Sequence, residues 1–255
     1  AAIARAKKQI KSQQLDDFTE TSIEILGGVP EDFLGSHVGD YQEVALKIAA
    51  RHRSAAGIGV FLKEITGLGL ATPPGLCVFA GGRPKPSPVI RLFSFLLSKE
   101  EVSVRIHRGG ETIDHTVAPV LTSEPAVPVP HTLPPSPKAQ SALTPVPLIQ
   151  LAYGRSGDKG DKANIGIIAR QSEYLPYIWA ALTPEVVASC FSRFLDGRVE
   201  RFLLPGIHAI NFVLHDVLGG GGIASLRNDA QGKGYAQILL AQPIDLPAPL
   251  AERIS

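Results

Sequence analysis

Apolar and polar positions follow two different periods along this chain, and the changes between them mark out its elements. In residues 2–17, Ile3, Ala6, Ile10 and Leu15 recur at near-helical spacing, which predicts an amphipathic helix. Residues 21–26 predict a strand ended by Gly27-Gly28, and 44–49 predict a buried strand in preference to a short helix. Residues 56–68 suit a helix that Gly57 and Gly59 weaken. Residues 102–107 alternate, turn at Gly109-Gly110 and return over 112–117, a hairpin with a period of two.

A second run of elements begins at residue 148. Apolar strands over 148–153 and 164–169 flank a polar loop at 154–163. Thr183 is placed to cap a helix and Pro184 to open it, and the pattern carries that helix to about residue 195. Residues 199–204 read as a strand. Pro205 or Gly206 then opens another helix through Leu218, with Gly219 as its stop. Strands over 223–226 and 235–241 enclose a turn at 228–234. The predicted fold class is α+β, built as two α/β units, the second a largely antiparallel sheet with helices on one face.

Eight prolines, from Pro125 to Pro147, fall among Ser, Thr and Ala between these runs. Such a stretch lacks backbone donors and predicts a partly extended spacer. The domain plan is therefore residues 1–121, a Pro-rich linker at 122–147, a second domain at 148–247 and a tail at 248–255.

Composition narrows the function classes. The 255 residues carry 25 Lys plus Arg against 24 Asp plus Glu, a formal charge of +1, so no overall field recruits nucleic acid or an anionic membrane. The longest apolar stretch, residues 89–97, is interrupted by Arg91 and falls well short of the roughly 20 residues a span needs. No secretory h-region follows the basic start, and only Cys77 and Cys190 occur, which suits a reducing compartment, two buried thiols and a cytoplasmic protein. Methionine is absent, which leaves two readings open: a piece of a longer chain, or methionines carried in modified form outside the written sequence.

Local chemistry concentrates in two glycine-punctuated basic loops. One is Tyr153-Gly154-Arg155-Ser156-Gly157-Asp158-Lys159-Gly160-Asp161-Lys162-Ala163-Asn164, the other Gly81-Gly82-Arg83-Pro84-Lys85-Pro86-Ser87-Pro88. In the first, glycines let amide groups approach an oxyanion, Arg155, Lys159 and Lys162 supply charge-assisted donors, Ser156 adds a hydroxyl and Asn164 fixes orientation. Asp158 and Asp161 are expected to stay ionised beside these cations, and either could hold Mg²⁺ through oxygen. In the second loop the prolines keep Arg83 and Lys85 extended toward one anion. The bland readings are a solvated loop of mutually paired charges and a rigid crossover.

Gly219-Gly220-Gly221-Gly222 exceeds what a helix stop requires and predicts a close backbone approach. His208 and His215, seven apart, would share a helix face. That spacing disfavours a zinc pair, and a structural role suits them better than acid–base work. Arg227 and Lys233 either extend the basic surface or form a solvated edge. Trp179, with Tyr174 and Tyr177, reads as core or interface. No GxSxG, HExxH, GxxxxGK[ST] or GxGxxG pattern occurs, so the usual nucleophile, zinc-protease, P-loop and Rossmann signatures are missing.

The run from Leu151 through the tandem Gly-Asp-Lys repeat to Gly166, followed by Leu204-Pro205-Gly206, Asn211-Phe212, Leu218-Gly219-Gly220-Gly221-Gly222 and Ser225-Leu226-Arg227, strongly resembles the C-terminal domain of acyclic terpene utilisation (AtuA-like) proteins. That resemblance implies a ferredoxin-like fold for the second unit. Ile48-Ala49-Ala50-Arg51-His52 and the loop at 81–88 resemble the end of the family's larger N-terminal domain. The family's usual length implies that the missing N-terminal portion is a partner. The resemblance further implies a role in breaking down citronellol and geraniol type terpenes through acyl-CoA intermediates.

The resulting expectation is a homo-oligomeric enzyme or enzyme subunit acting on a branched acyl-CoA or carboxylate. Arg155, Ser156, Gly157, Lys159, Gly160, Lys162 and Asn164, with Arg83 and Lys85, would hold the anion. Asp158, Asp161 and His208 would be the catalytic candidates. No resident cofactor is required and a CoA thioester would be a substrate. The alternative is a noncatalytic ferredoxin-like module that joins subunits.

Overall fold

In the computed structural model, residues 1–26, 44–69, 71, 75–77, 82, 84–91, 93–116, 132–137 and 142–254 are described. The chain divides into two compact units, residues 1–91 with 134–255, and residues 92–133. The smaller unit holds a short 3-10 turn, Lys99–Glu101, capped by Ser98, and a hairpin of β3 (Val104–Arg108) and β4 (Glu111–His115). Gly109 and Gly110 connect these strands with φ of 58° and 87°, the doubly positive φ of a type I′ turn.

The larger unit opens with α1 (Ala2–Ser12), an antiparallel pair of β1 (Glu20–Leu26) and β2 (Ala45–Arg51), and α2 (Ala55–Gly69). The predicted helix of 2–17 ends at Ser12, and Gln14 takes a positive φ of 57° just beyond it. Residues 44–49 form a strand as predicted.

Pro145 and Pro147, expected in an extended spacer, instead belong to β5 (Leu143–Pro147), which pairs antiparallel with β10 (Pro243–Pro247). The register explains how proline survives there. Opposed residues in an antiparallel ladder alternate between pairs that exchange hydrogen bonds and pairs that do not. All four prolines of the two strands fall in the non-bonding class, opposite Pro, Asp245 or Leu143, while Val146↔Ile244 and Thr144↔Leu246 carry the bonds. Each strand runs into one helical turn, α3 (Leu148–Leu151) and α7 (Ala248–Ala251).

The main sheet has four antiparallel strands in the order β6 (Ala152–Lys159), β7 (Lys162–Ala169), β9 (Ala209–Leu214), β8 (Val199–Leu204). Between β7 and β8 lie α4 (Leu175–Ala181) and α5 (Pro184–Cys190), and α6 (Tyr235–Leu240) follows β9. This β-β-α-β-β-α order is the β-α-β-β-α-β order of a ferredoxin-like fold begun one strand early, with β9 filling the gap between parallel β7 and β8. Thr183 caps α5 as predicted, its hydroxyl accepting from Val186 N, but α5 stops at Cys190.

Four predicted elements change type, besides the start of the strand of 148–153, which is the helical turn α3. The helix of 205–218 is a 3-10 turn at Pro205–Ile207 followed by central strand β9. The strand of 235–241 is helix α6, and 223–226 holds a 3-10 turn, Gly222–Ala224. The loop of 154–163 is two paired strands. One sheet face packs Ile165, Ile167, Ile210, Phe212 and Leu214 against Ile178, Val187, Phe191 and Leu239. Each such side chain contributes about 1.5–3 kcal/mol by leaving water. The sheet's other face is not covered by those helices, and strand alternation places Tyr153, Arg155, Lys159, Lys162, Asn164, Ile168, Asn211, Phe202 and Leu204 on it.

Candidate functional site

The tandem Gly-Asp-Lys repeat forms the tip of the β6–β7 hairpin. Lys159 and Lys162 are register partners, joined by the two-residue turn Gly160-Asp161, and Gly160 takes φ of 69° at the first central position, as a type II′ turn needs. Glycines inside β6 have a separate cause. A Cβ on Gly154 would lie 2.9 Å from Leu240 Cδ1, so this strand position is left bare for α6 to close on the sheet.

Alternation along the hairpin separates the repeat's charges. Arg155, Lys159 and Lys162 are exposed on the open face, and among the described residues none of them meets a carboxylate. Directly opposed like charges destabilise a strand pair by several tenths of a kcal/mol, so Lys159 beside Lys162 is a local electrostatic debit that an anion relieves. Asp158 lies on the covered side and meets Lys233 at 3.6 Å. Asp161 Oδ1 accepts from Leu218 N at 3.2 Å and Gly220 N at 2.8 Å, and its carbonyl accepts from Val217 N at 3.1 Å.

These bonds explain the tetraglycine run. It lies against the hairpin tip so closely that a Cβ on Gly221, at φ of 66°, would sit 2.1 Å from the Gly160 carbonyl oxygen. The close approach expected of this segment is thus to the turn of the basic repeat. Gly219 leaves room for Arg227, which turns inward to donate to the carbonyls of Val217 and Phe194 and stands over the Phe194 ring. Arg227 therefore does not extend the basic surface.

Other candidates find structural employment. Ser156 is buried, its hydroxyl donating to Lys233 O at 3.1 Å and accepting from Ala236 N at 2.9 Å, so it offers no donor to a guest on the open face. Asn164 remains on that face, where its amide donates to Asn211 Oδ1. Asn211 is a neighbour that sequence reasoning missed because it was placed on a helix. Gly157 lies in β6, between Arg155 and Lys159 on the open face.

His208 is in a left-handed conformation after Pro205–Ile207, at the end of the sheet opposite the lysine pair, where Ala209 registers with Ile168. The structure does not bring it together with Asp158 or Asp161. His215 follows β9 and bonds through Nε2 to Glu200, whose carboxyl is held below its ordinary value chiefly by that bond. The two histidines share no helix face. Trp179 packs on the core with the Arg201 guanidinium 3.6 Å above its ring.

Lys85 is exposed, whereas Arg83 and Gly81 lie outside the described residues. Cys77 is exposed and Cys190 half-buried, both free, which corrects the expectation of two buried thiols. Burial pushes the Cys190 thiol upward. Among the described residues no helix is long and apolar enough to cross a membrane.

Along the open face, the lysine tip grades into an apolar end. Tyr153, Ile168, Phe202 and Leu204 are exposed there, and Arg170 stacks on the Tyr153 ring at 3.9 Å. Six residue steps along β6 carry the chain from Tyr153 to Lys159, a span of ~20 Å at strand rise. One face thus offers the lysine pair at one end, with Glu200 in the neighbouring row opposite Val213, and apolar side chains at the other.

Neither the curated proteins nor the solved structures contain a match to the chain. Two family models do match it, an AtuA ferredoxin-like domain over residues 146–245 and the acyclic terpene utilisation family protein AtuA over residues 1–108. The first covers all four strands of the main sheet, the second both strands of the β1–β2 pair. The chain belongs to the acyclic terpene utilisation family.

Proposed function

We propose that this protein serves acyclic terpene catabolism in the cytoplasm by holding a branched acyl-CoA or related carboxylate on the open face of its ferredoxin-like sheet. The observation that carries this reading is the segregation of the tandem repeat. Its cations Lys159 and Lys162, with Arg155, are exposed on one face, while its aspartates are bonded to Lys233 and to the tetraglycine backbone. Charge-assisted bonds from these cations suit the phosphates of CoA or a carboxylate. The apolar row around Tyr153, Ile168 and Leu204 suits an aliphatic chain extending away from them.

Asp158 and Asp161 act in this reading as positioning residues for the hairpin, and His208 is too far along the sheet to serve the same guest atom. The face orients and neutralises an anion, and a reacting group would come from elsewhere in the assembled protein. No metal is needed for this binding step.

The test is a thermal-shift titration with CoA and with a branched acyl-CoA. Both are expected to raise the melting temperature, the acyl form more, and Lys159→Ala with Lys162→Ala is expected to abolish the shift. An undiminished shift in the double variant would remove the site. No shift in the unaltered protein, with self-association that Tyr153→Asp or Leu204→Asp disrupts, would support the noncatalytic module instead.

A further inference from the structure

A second site is built by the other segment of the family, away from the four-stranded sheet. A pocket of about 530 Å³ lies where the β2–α2 turn meets the extended segment at 86–89, within the range of small-molecule sites. Ile58, Pro86, Pro88 and Val89 give it apolar walls, while Thr19, Arg53 and Ser87 place polar groups on it. No Asp or Glu borders it among the described residues.

The charges around this pocket are defined. His52 borders it, but both ring nitrogens are engaged: Nε2 donates to Asp16 O at 2.6 Å, and Nδ1 accepts from Ser54 N at 2.9 Å. The ring's face is pressed on Gly57, where a Cβ would come within 2.4 Å of it, so the histidine shapes the wall.

Arg51 also borders the pocket. Its terminal nitrogens are spent on Glu20 and on the Ala224 carbonyl, yet its Nε is buried and bonds to nothing among the described residues. Arg53 is exposed and meets no carboxylate among the described residues. The unpaired Arg53 guanidinium thus stands on a cavity that has apolar walls and no acid among the described lining residues. A guanidinium that meets no carboxylate can give charge-assisted bonds to an oxyanion seated beside it.

We propose that this pocket binds an aliphatic monocarboxylate, its head group on Arg53 and its chain against Ile58, Pro88 and Val89. One free guanidinium matches a single negative charge better than a phosphate dianion. The site is independent of the hairpin reading, since it shares no residue with Arg155, Lys159 or Lys162. Lys85 precedes the wall residue Pro86, and the described part of the proline-rich segment contributes walls to the site.

The experiment is calorimetric titration of the full chain with octanoate, octanol and acetate, alongside melting curves. Octanoate is expected to bind with one site per chain and, at tenfold its dissociation constant, to raise the melting temperature by about 3 °C. Octanol and acetate are expected to bind at least tenfold more weakly, because each lacks one half of the recognition. Arg53→Ala is expected to weaken octanoate at least tenfold, and Ser87→Asp to abolish binding by placing a like charge in the cavity. Both substituted positions are exposed, so the melting temperature without ligand should be unchanged. Lys159→Ala with Lys162→Ala is expected to leave octanoate affinity intact, which separates this site from the sheet face. Absence of octanoate binding, equal binding of octanol, or unchanged affinity in both pocket variants would each overturn the proposal.

Discussion

At the residue scale the hairpin tip is held by a few atoms whose removal has calculable sign. Asp161 satisfies two amides of the run that enters the tetraglycine segment, Leu218 N and Gly220 N. Replacing it with Ala leaves those donors without their acceptor, a loss of about 1–3 kcal/mol in unfolding free energy. Gly221→Ala is expected to cost ~2–4 kcal/mol, because a Cβ at positive φ would meet the Gly160 carbonyl, which is backbone and cannot swing aside. Chemical denaturation of the two variants checks both values, and a wild-type midpoint for Gly221→Ala would disprove the close approach.

Titration gives a third handle at the same scale. Glu200 is held below its ordinary value of 4.5, first by the hydrogen bond from His215 and then by the Arg198 charge. A depressed folded value means the stabilisation is fully present above that ordinary value and is lost as pH falls through the depressed one. Melting temperatures recorded from neutral pH into the acid range should therefore fall in the wild type. In His215→Ala the acid-side fall should be shallower, since the bond that depresses Glu200 is gone. A parallel pair of profiles would show that this bond carries no pH dependence.

At the element scale, the β6–β7 hairpin stands with Lys159 directly opposite Lys162. Lys159→Glu converts a repulsive cross-strand pair into an attractive one, so the ligand-free protein should gain about 0.2–1 kcal/mol while losing its response to CoA. Opposite movements of stability and ligand response in one variant would be hard to produce by general damage. A variant that is destabilised, or that still responds to CoA, would argue against the open face as the site.

The same scale shows what was legible in the sequence and why the rest was not. The β1–β2, β3–β4 and β8 strands, α2, and the Thr183 cap are readable because their alternation or capping chemistry is local. Residues 209–214 were misread because a central strand places Ile210, Phe212 and Leu214 on one face and Ala209 and Val213 on the other, leaving a continuous apolar run that suits a helix equally well. Asn211 was the one polar interruption. The six residues of α6 are too few to display a helical period, and its true local signal was Asp229, whose carboxylate receives Lys233 N and Gly234 N just ahead of the helix. Residues 154–159 looked like a loop because glycine and charge are poor strand formers. They are held as a strand by pairing residue for residue with β7, and the bare Gly154 lets Leu240 of α6 close on it. The basic character of the site was thus written in the sequence, while the face that each charge occupies depended on a pairing that no local pattern states.

At the scale of the whole molecule, residues matched by the two family models meet within one compact unit. Arg51, at the end of β2, donates to Glu20 Oε2 and to the Ala224 carbonyl beyond the tetraglycine run, and Asn228 N donates to Glu24 Oε2 at 2.8 Å. The polar edge of β1–β2 is therefore tied to the segment that also grips the hairpin tip through Asp161. Arg51 is the joint of that connection, and it borders the pocket as well. Arg51→Ala should release the Ala224 carbonyl and Glu20 together, destabilising the protein by ~1–3 kcal/mol. Its more specific signature is local. Hydrogen exchange should accelerate at the amides of 218–228 and across the β1–β2 ladder, while the amides of β9 stay protected, because the main sheet keeps its own core. If protection falls uniformly across β9 as well, the two segments unfold as a single cooperative body. If it does not fall at 218–228, the arginine is not the tie between them.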